Sequence, residues 1–274
     1  MERFVEVPGG RLSVADDGAG PPIVLLHAGI ADLRAWDPMV PGLVAAGHRA
    51  VRYDARGFGR TVTEDVPFSN RADVIAVLDA LGIERAALVG NSRGGQIAFD
   101  TAVEFPDRAV AVVGVGAGLG GFGTEIDPDE QPYVDEAQRL EAGGKLDPDA
   151  IADLDVRLWV DGPGQPADRV PAAIREALRV MDRPQYEPGN VSGQPIPLET
   201  TANERLADLR CPVLAVAGAL DIGSMAVLAR HLEANAPDAR AVILPGVAHM
   251  IGLEAPDELT SLIVEFLRPL RPWI

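Results

Sequence analysis

Short, nearly unbroken apolar runs recur along this chain, and a stretch with helical spacing follows most of them. The runs are Ile23 to Leu26, Ala50 to Tyr53, Ala87 to Val89, Val110 to Val115, Val213 to Ala217 and Ala241 to Leu244. A strand with one wet face alternates apolar and polar residues. A continuous run means that both faces are covered, as in a parallel sheet flanked by helices. Helical patterns span Trp36 to Ala46, Ala72 to Leu81, Gln96 to Phe105, Ala226 to Ala236 and Glu258 to Leu267, and Gly82, Pro106, Pro237 and Pro269 punctuate their ends. Alternating strands and helices build βαβ units. The expected class is therefore α/β, with a mostly parallel central sheet and helices on both faces. Ahead of the first run, Phe4, Val5 and Val7, then Pro8-Gly9-Gly10, then Leu12 and Val14 read as a hairpin.

One region breaks the alternation. Residues 121–203 show no convincing strand; helical segments are expected near Tyr133 to Ala142, Ala150 to Val160 and Ala172 to Met181, joined by Pro/Gly-rich links. The expected organisation is a core in two parts, 1–120 and 204–274, with a helical insertion of 121–203 capping the end of the sheet. The formal net charge of −17 argues against nucleic-acid and anionic-membrane partners, which it would repel. Cys211 is the sole cysteine, so neither an internal disulfide nor a zinc cluster is expected. No apolar stretch is long enough to span a bilayer. The alternating start Met1-Glu2-Arg3-Phe4-Val5-Glu6 lacks the apolar run of a signal peptide. A cytoplasmic protein with a small-molecule substrate and no cofactor or metal is the expectation; the oligomeric state is left open.

The hexapeptide Gly90-Asn91-Ser92-Arg93-Gly94-Gly95 follows an apolar run and precedes a helical segment. This is Gly-x-Ser-x-Gly in the strand–turn–helix setting that gives the pattern chemical meaning. A serine on a very sharp turn has strained backbone and needs small neighbours, which Gly90 and Gly94 supply. The helix that follows presents N–H groups and the positive end of its dipole to a reacting oxygen. A serine nucleophile also needs a base, and the base an orienting acid. Asp221 follows the run Val213 to Ala217, and His249 follows Ala241 to Leu244, where later strands end. Glu125 and Asp127 are the rival acids. His231 reads as a solvated helix residue and His48 as the start of a distant strand. For the oxyanion, the N–H of Arg93 is one donor. The loop His27-Ala28-Gly29-Ile30 supplies a second, from Gly29 or alternatively Ile30, with His27 holding the loop.

Together with Asp54-Ala55-Arg56-Gly57-Phe58-Gly59-Arg60, these motifs resemble the α/β-hydrolase superfamily over the whole chain except the insertion. The subgroup most similar in pattern holds enol-lactonase-like and carboxylesterase-like enzymes. The resemblance implies Ser92 as nucleophile, His249 as base, Asp221 as acid, and Gly29 and Arg93 as oxyanion donors. It implies hydrolysis of a small, largely apolar ester or lactone. Cleavage of a carbon–carbon bond beside a ketone with the same triad is the enzymatic alternative, and a ligand-binding receptor on this fold the non-enzymatic one. Ile30, Leu119, Trp159, Met225 and Met250 are expected at the pocket wall. Arg93 replaces the commoner Met, Leu or Gln; its charge is expected either to pair with a buried carboxylate or to anchor a substrate carboxylate. Gly116 to Gly121 imitates a dinucleotide-binding Gly-x-Gly-x-x-Gly, but no helix pattern follows, and it is read as the entry to the insertion.

Overall fold

The computed structural model describes residues 2–142 and 146–270. Eight main strands are β1 (Glu2–Val7), β2 (Gly10–Gly18), β3 (Pro22–Leu26), β4 (Arg49–Tyr53), β5 (Ala86–Asn91), β6 (Ala109–Val115), β7 (Val213–Gly218) and β8 (Ala239–Leu244). They lie side by side in the order β1-β2-β4-β3-β5-β6-β7-β8, with Val62–Thr63 pairing against β2. The β1–β2 hairpin and the β2–β4 pair are antiparallel, and every later neighbour is parallel. The helices are α1 (Val40–Ala45), α2 (Asn70–Ala80), α3 (Arg93–Glu104), α4 (Gln131–Ala142), α5 (Pro148–Asp155), α6 (Ala172–Asp182), α7 (Gly223–Asn235), α8 (Ile251–Glu254) and α9 (Pro256–Leu267).

The apolar runs are continuous because consecutive strand residues feed two different cores. Val24 and Leu26 of β3 join Val77 of α2, Phe99 of α3 and Leu228 of α7 on one face. Ile23 and Leu25 point the other way, to Leu43 of α1 and Ile263 of α9. A third cluster joins the loop after β3 to the insertion, through Ala28, Ala31, Val156, Val160, Leu178 and Met250.

The insertion between β6 and β7 departs from expectation at two points. Gln194–Pro195 pairs in parallel with Pro67–Phe68, a ladder too short to leave any periodicity in sequence. The segment Ala150 to Val160 is not one helix: α5 stops at Asp155, and Val156–Asp161 continues as a π-helical turn. Trp36 to Ala46 also divides. Leu33–Trp36 is a 3-10 turn and α1 begins at Val40, because Pro38 and Pro41 lack the N–H that a continuous helix would need. The short α8, directly after His249, was not legible in the pattern.

Candidate active site

Parallel strands all end at the same edge, and three of their loops meet there. At the tip of β5, Ser92 has φ +53° and ψ −118°, the only non-glycine residue with positive φ among those described. Such backbone costs of order 1–3 kcal/mol and persists only where its surroundings fix it. Here they do. The Ser92 N–H donates to Val115 O (2.9 Å), and Ser92 O accepts from the N–H groups of Gly95 (2.9 Å) and Gly118 (2.9 Å). The glycines of the hexapeptide are dictated by contact. A Cβ on Gly90 would lie 2.1 Å from Gly94 O, one on Gly94 2.1 Å from Leu26 O, and one on Gly95 2.4 Å from Ala117 Cβ. Gly94→Ala should therefore force β3 and α3 apart, lowering stability by about 3 kcal/mol or more and activity at least a hundredfold. Melting and ester turnover of the purified variant check this.

His249 lies five residues beyond β8 and Asp221 three beyond β7. His249 Nδ1 and Asp221 Oδ2 are 2.7 Å apart, with side chains 2% and 0% exposed. The carboxylate therefore receives the Nδ1 proton and leaves Nε2 with its lone pair. The second Asp221 oxygen accepts from the Ile222 N–H at 2.8 Å. Two features secure the histidine. The Asn91 side chain, next to Ser92, donates to Val115 O (2.8 Å) and to His249 O (3.3 Å). Gly116 has φ +47° and leaves room for the ring, since a Cβ there would sit 2.9 Å from His249 Nδ1. This is what the decoy glycine motif does: it packs beneath the histidine and, through Gly118, ties down Ser92. Glu125 and Asp127 are exposed and do not hold His249. No hydrogen bond joins Ser92 Oγ to His249 Nε2 among the described residues; such contacts commonly tighten only when substrate binds.

The loop after β3 is held by His27, whose Nε2 accepts from the Ala55 N–H (2.9 Å) while Nδ1 donates to Ala28 O (2.8 Å). Burial lowers its pKa to about 4, so the ring is neutral and its tautomer fixed. This loop brings Gly29 beside Arg93: a Cβ on Gly29 would lie 3.6 Å from Arg93 Cδ. The backbone N–H groups of Gly29, Ile30 and Arg93 have no acceptor among the described residues.

Of the expected wall residues, Trp159 packs on the histidine, with ring centroids 4.5 Å apart. Met250 (1% exposed) and half-buried Ile30 belong to the cluster between the β3 loop and the insertion. Leu119 and Met225 pack with the main core on the α3 and α7 face. His231 is not a solvated residue: its Nε2 is 2.7 Å from Asn203 Oδ1, and its ring lies 4.8 Å from that of Phe122. Nor does Arg93 have the buried carboxylate partner considered above. Its Nη2 donates to Asn70 Oδ1 (3.2 Å), its guanidinium lies over Phe58 (4.9 Å), and Nη1 is buried without a partner. The nearby Asp73 is occupied by both Nε and Nη2 of Arg56.

The contacts that fix the insertion over this edge leave no signal in the residue pattern. Arg169 donates to Val160 O, Asp161 O, Gly246 O and Glu254, and Glu254 in turn accepts from the Ala248 N–H beside His249. Trp159 Nε1 donates to Asp155 Oδ1 (3.1 Å), and Tyr186 donates to Asp155 Oδ2 (2.7 Å). Asp182 faces Asp155, and burial, with the Asp155 charge second, pushes its pKa up to about 9. At neutral pH the buried Asp182–Asp155 pair thus retains a proton. Below about pH 4 the carboxyl is protonated folded or unfolded and costs nothing. As pH rises toward 9 only the unfolded chain releases the proton, so stability falls, and above 9 the full penalty applies. Asp182→Asn mimics the protonated acid. Its Tm should exceed wild type by about 3 °C or more at pH 8, with the gap closing toward pH 5; melts across this range check it.

No cluster of three or more His, Cys, Asp or Glu arranged to hold a metal ion occurs among the described residues. No described helix is long and apolar enough to cross a membrane. Among solved structures, the enol-lactonase of Burkholderia xenovorans LB400 is similar, with 26% identity and a TM-score of 0.74 over 97% of this chain and 100% of that one. Among curated proteins, epoxide hydrolase B of Mycobacterium tuberculosis is 28% identical over 99% of both chains. The 2-hydroxy-6-oxononadienedioate/2-hydroxy-6-oxononatrienedioate hydrolase of Comamonas testosteroni is 27% identical over 94% of this chain and 91% of that protein. The family model for the alpha/beta hydrolase family matches residues 23–262, and with an elbow serine, a buried His–Asp pair and this strand order on the page, the chain belongs to that family.

Proposed function

We propose that this chain is a serine hydrolase that cleaves a small ester or lactone through an acyl-enzyme on Ser92. The observation that supports it most is the strained serine at the head of α3, one residue from an amide that holds His249, itself paired with Asp221 at 2.7 Å. In this reading His249 Nε2 takes the Ser92 proton as Oγ attacks the carbonyl carbon. The resulting oxyanion is received by the N–H groups of Gly29 and Arg93, the latter at the positive end of the α3 dipole. Collapse expels the alkoxide, which His249 protonates. Water, deprotonated by the same nitrogen, then releases the acid. The 121–203 insertion acts as a cap that sets the substrate, with Trp159 at the pocket wall against His249.

The similarity to an epoxide hydrolase does not extend to chemistry at this elbow. A serine alkoxide opening an epoxide would form an ether, which water and imidazole cannot cleave, so the enzyme would stall after one event. An acyl ester on the same oxygen turns over. The Comamonas relative acts on a carbon–carbon bond by its name, and cleavage of a ketone-activated bond is the second reading. A fluorophosphonate probe should label wild type and not Ser92→Ala. A panel of lactones, acyl esters and ring-cleavage diketones then separates the two reactions. No labelling and no turnover on any of them would leave a binding protein on this fold.

A further inference from the structure

Arg93 differs from every other arginine that the fold takes out of solvent. Each of the other buried or half-buried arginines among the described residues has a carboxylate oxygen within 4.0 Å. Arg93 has none; Asn70 gives it one neutral acceptor, and Nη1 is buried with no acceptor at all. A guanidinium cannot shed its proton at any physiological pH, so burial without a counter-charge is costly unless something else supplies it.

The surroundings repeat the asymmetry. Arg93 lines a cavity of about 330 Å³ between core and insertion, together with Arg56, Phe58, Phe68, Tyr186 and Asn190. Among the described residues no aspartate or glutamate lines it, although the chain carries 41 acidic residues against 24 basic ones. The cavity of about 410 Å³ beyond Asp221 is by contrast lined by Asp127, Asp129 and Glu130 as well. Arg56 is already spent on Asp73 and on two backbone carbonyls. Among the described residues that line it, the only cation without a carboxylate is Arg93. Its Cζ lies 4.9 Å from the Phe58 ring centroid and Nη2 is held by Asn70, which leaves Nη1 as the donor without an acceptor among the described residues. A guanidinium donor matches a carboxylate.

We infer that Arg93 is the anchor for a carboxylate on the substrate, so that the hydrolysed ester or lactone carries a separate free carboxylate and is not a wholly apolar molecule. One residue then acts at both ends: its backbone N–H at the reacting carbonyl, and its side chain at the remote acid. The inference rests on the ester or lactone reading for its catalytic meaning, but the site itself is a carboxylate site with or without turnover.

The test uses the full-length protein and two probe pairs. Calorimetric titration compares glutarate with glutaramide on wild type, Arg93→Met and Arg93→Lys. Kinetics compare the 4-nitrophenyl monoester of glutaric acid with 4-nitrophenyl valerate, a neutral ester of similar length. Glutarate should bind wild type at least tenfold more tightly than glutaramide. Arg93→Met should lose that margin, and Arg93→Lys, which keeps charge without the guanidinium, should retain part of it. The kcat/KM ratio of acid ester to neutral ester should fall at least tenfold in Arg93→Met. Glutarate binding that is equal in wild type and both variants, or an ester ratio indifferent to Arg93, overturns the anchor. If neither ester is turned over while glutarate still binds through Arg93, the ester reading fails and the carboxylate site stands. Should Arg93→Met not fold, Arg93→Lys alone decides, by whether it shifts the glutarate margin.

Discussion

Ser92→Ala is expected to lower kcat on an activated ester by about 10⁴–10⁶ while the protein remains folded. The fold should tolerate it because the turn is held by backbone bonds from Ser92 to Val115, Gly95 and Gly118, none of which uses the hydroxyl. Alanine at φ +53° is strained much as serine is, so Tm should change little. His249→Ala should cause a loss of the same size, and the double variant little more, because in the proposed mechanism nucleophile and base act as one unit. Steady-state turnover with circular dichroism on each variant measures this. Undiminished turnover by folded Ser92→Ala would place the chemistry elsewhere.

The second large effect is at Asp221. Its carboxylate takes the Nδ1 proton of His249 at 2.7 Å and is shielded from solvent. An amide there can donate to Nδ1, which puts the ring proton on Nε2, the nitrogen that the proposed mechanism uses as base. Asp221→Asn should reduce kcat by about 10⁴ with KM little changed. Glu125→Gln and Asp127→Asn should lie close to wild type, since both residues are exposed and neither holds His249. A crippled Asp127→Asn beside a healthy Asp221→Asn would transfer the role. The titration of Asp182 and the packing of Gly94 are separable from these tests, because they act on stability.

Local periodicity and short motifs are enough to reveal the sheet and the turn that carries Ser92. Unbroken runs such as Val110 to Val115 gave the parallel sheet, because a strand that feeds two cores cannot alternate. The elbow was legible because the glycines it requires stand within six consecutive residues. Gly90, Gly94 and Gly95 each avoid a backbone or side-chain atom that the turn brings within 2.4 Å, and only glycine answers that at such spacing. Asp221 and His249 were legible because parallel topology delivers the ends of consecutive strands to one edge.

Features that need partners far away in the chain emerge only once it is folded. The short ladder between Pro67–Phe68 and Gln194–Pro195 joins segments more than a hundred residues apart and leaves no pattern in either. His231 read as solvated because an isolated helix shows only its own face, and Phe122 and Asn203 arrive from elsewhere. Trp159 reached His249 because a π-helical turn follows α5, which rotates the residues beyond it relative to the helix that spacing suggests. For Arg93 the deciding fact was a missing partner. An arginine's identity reveals its charge at once, but whether a carboxylate answers that charge is settled only when Arg56 has taken Asp73 and the cavity wall has closed without another acid.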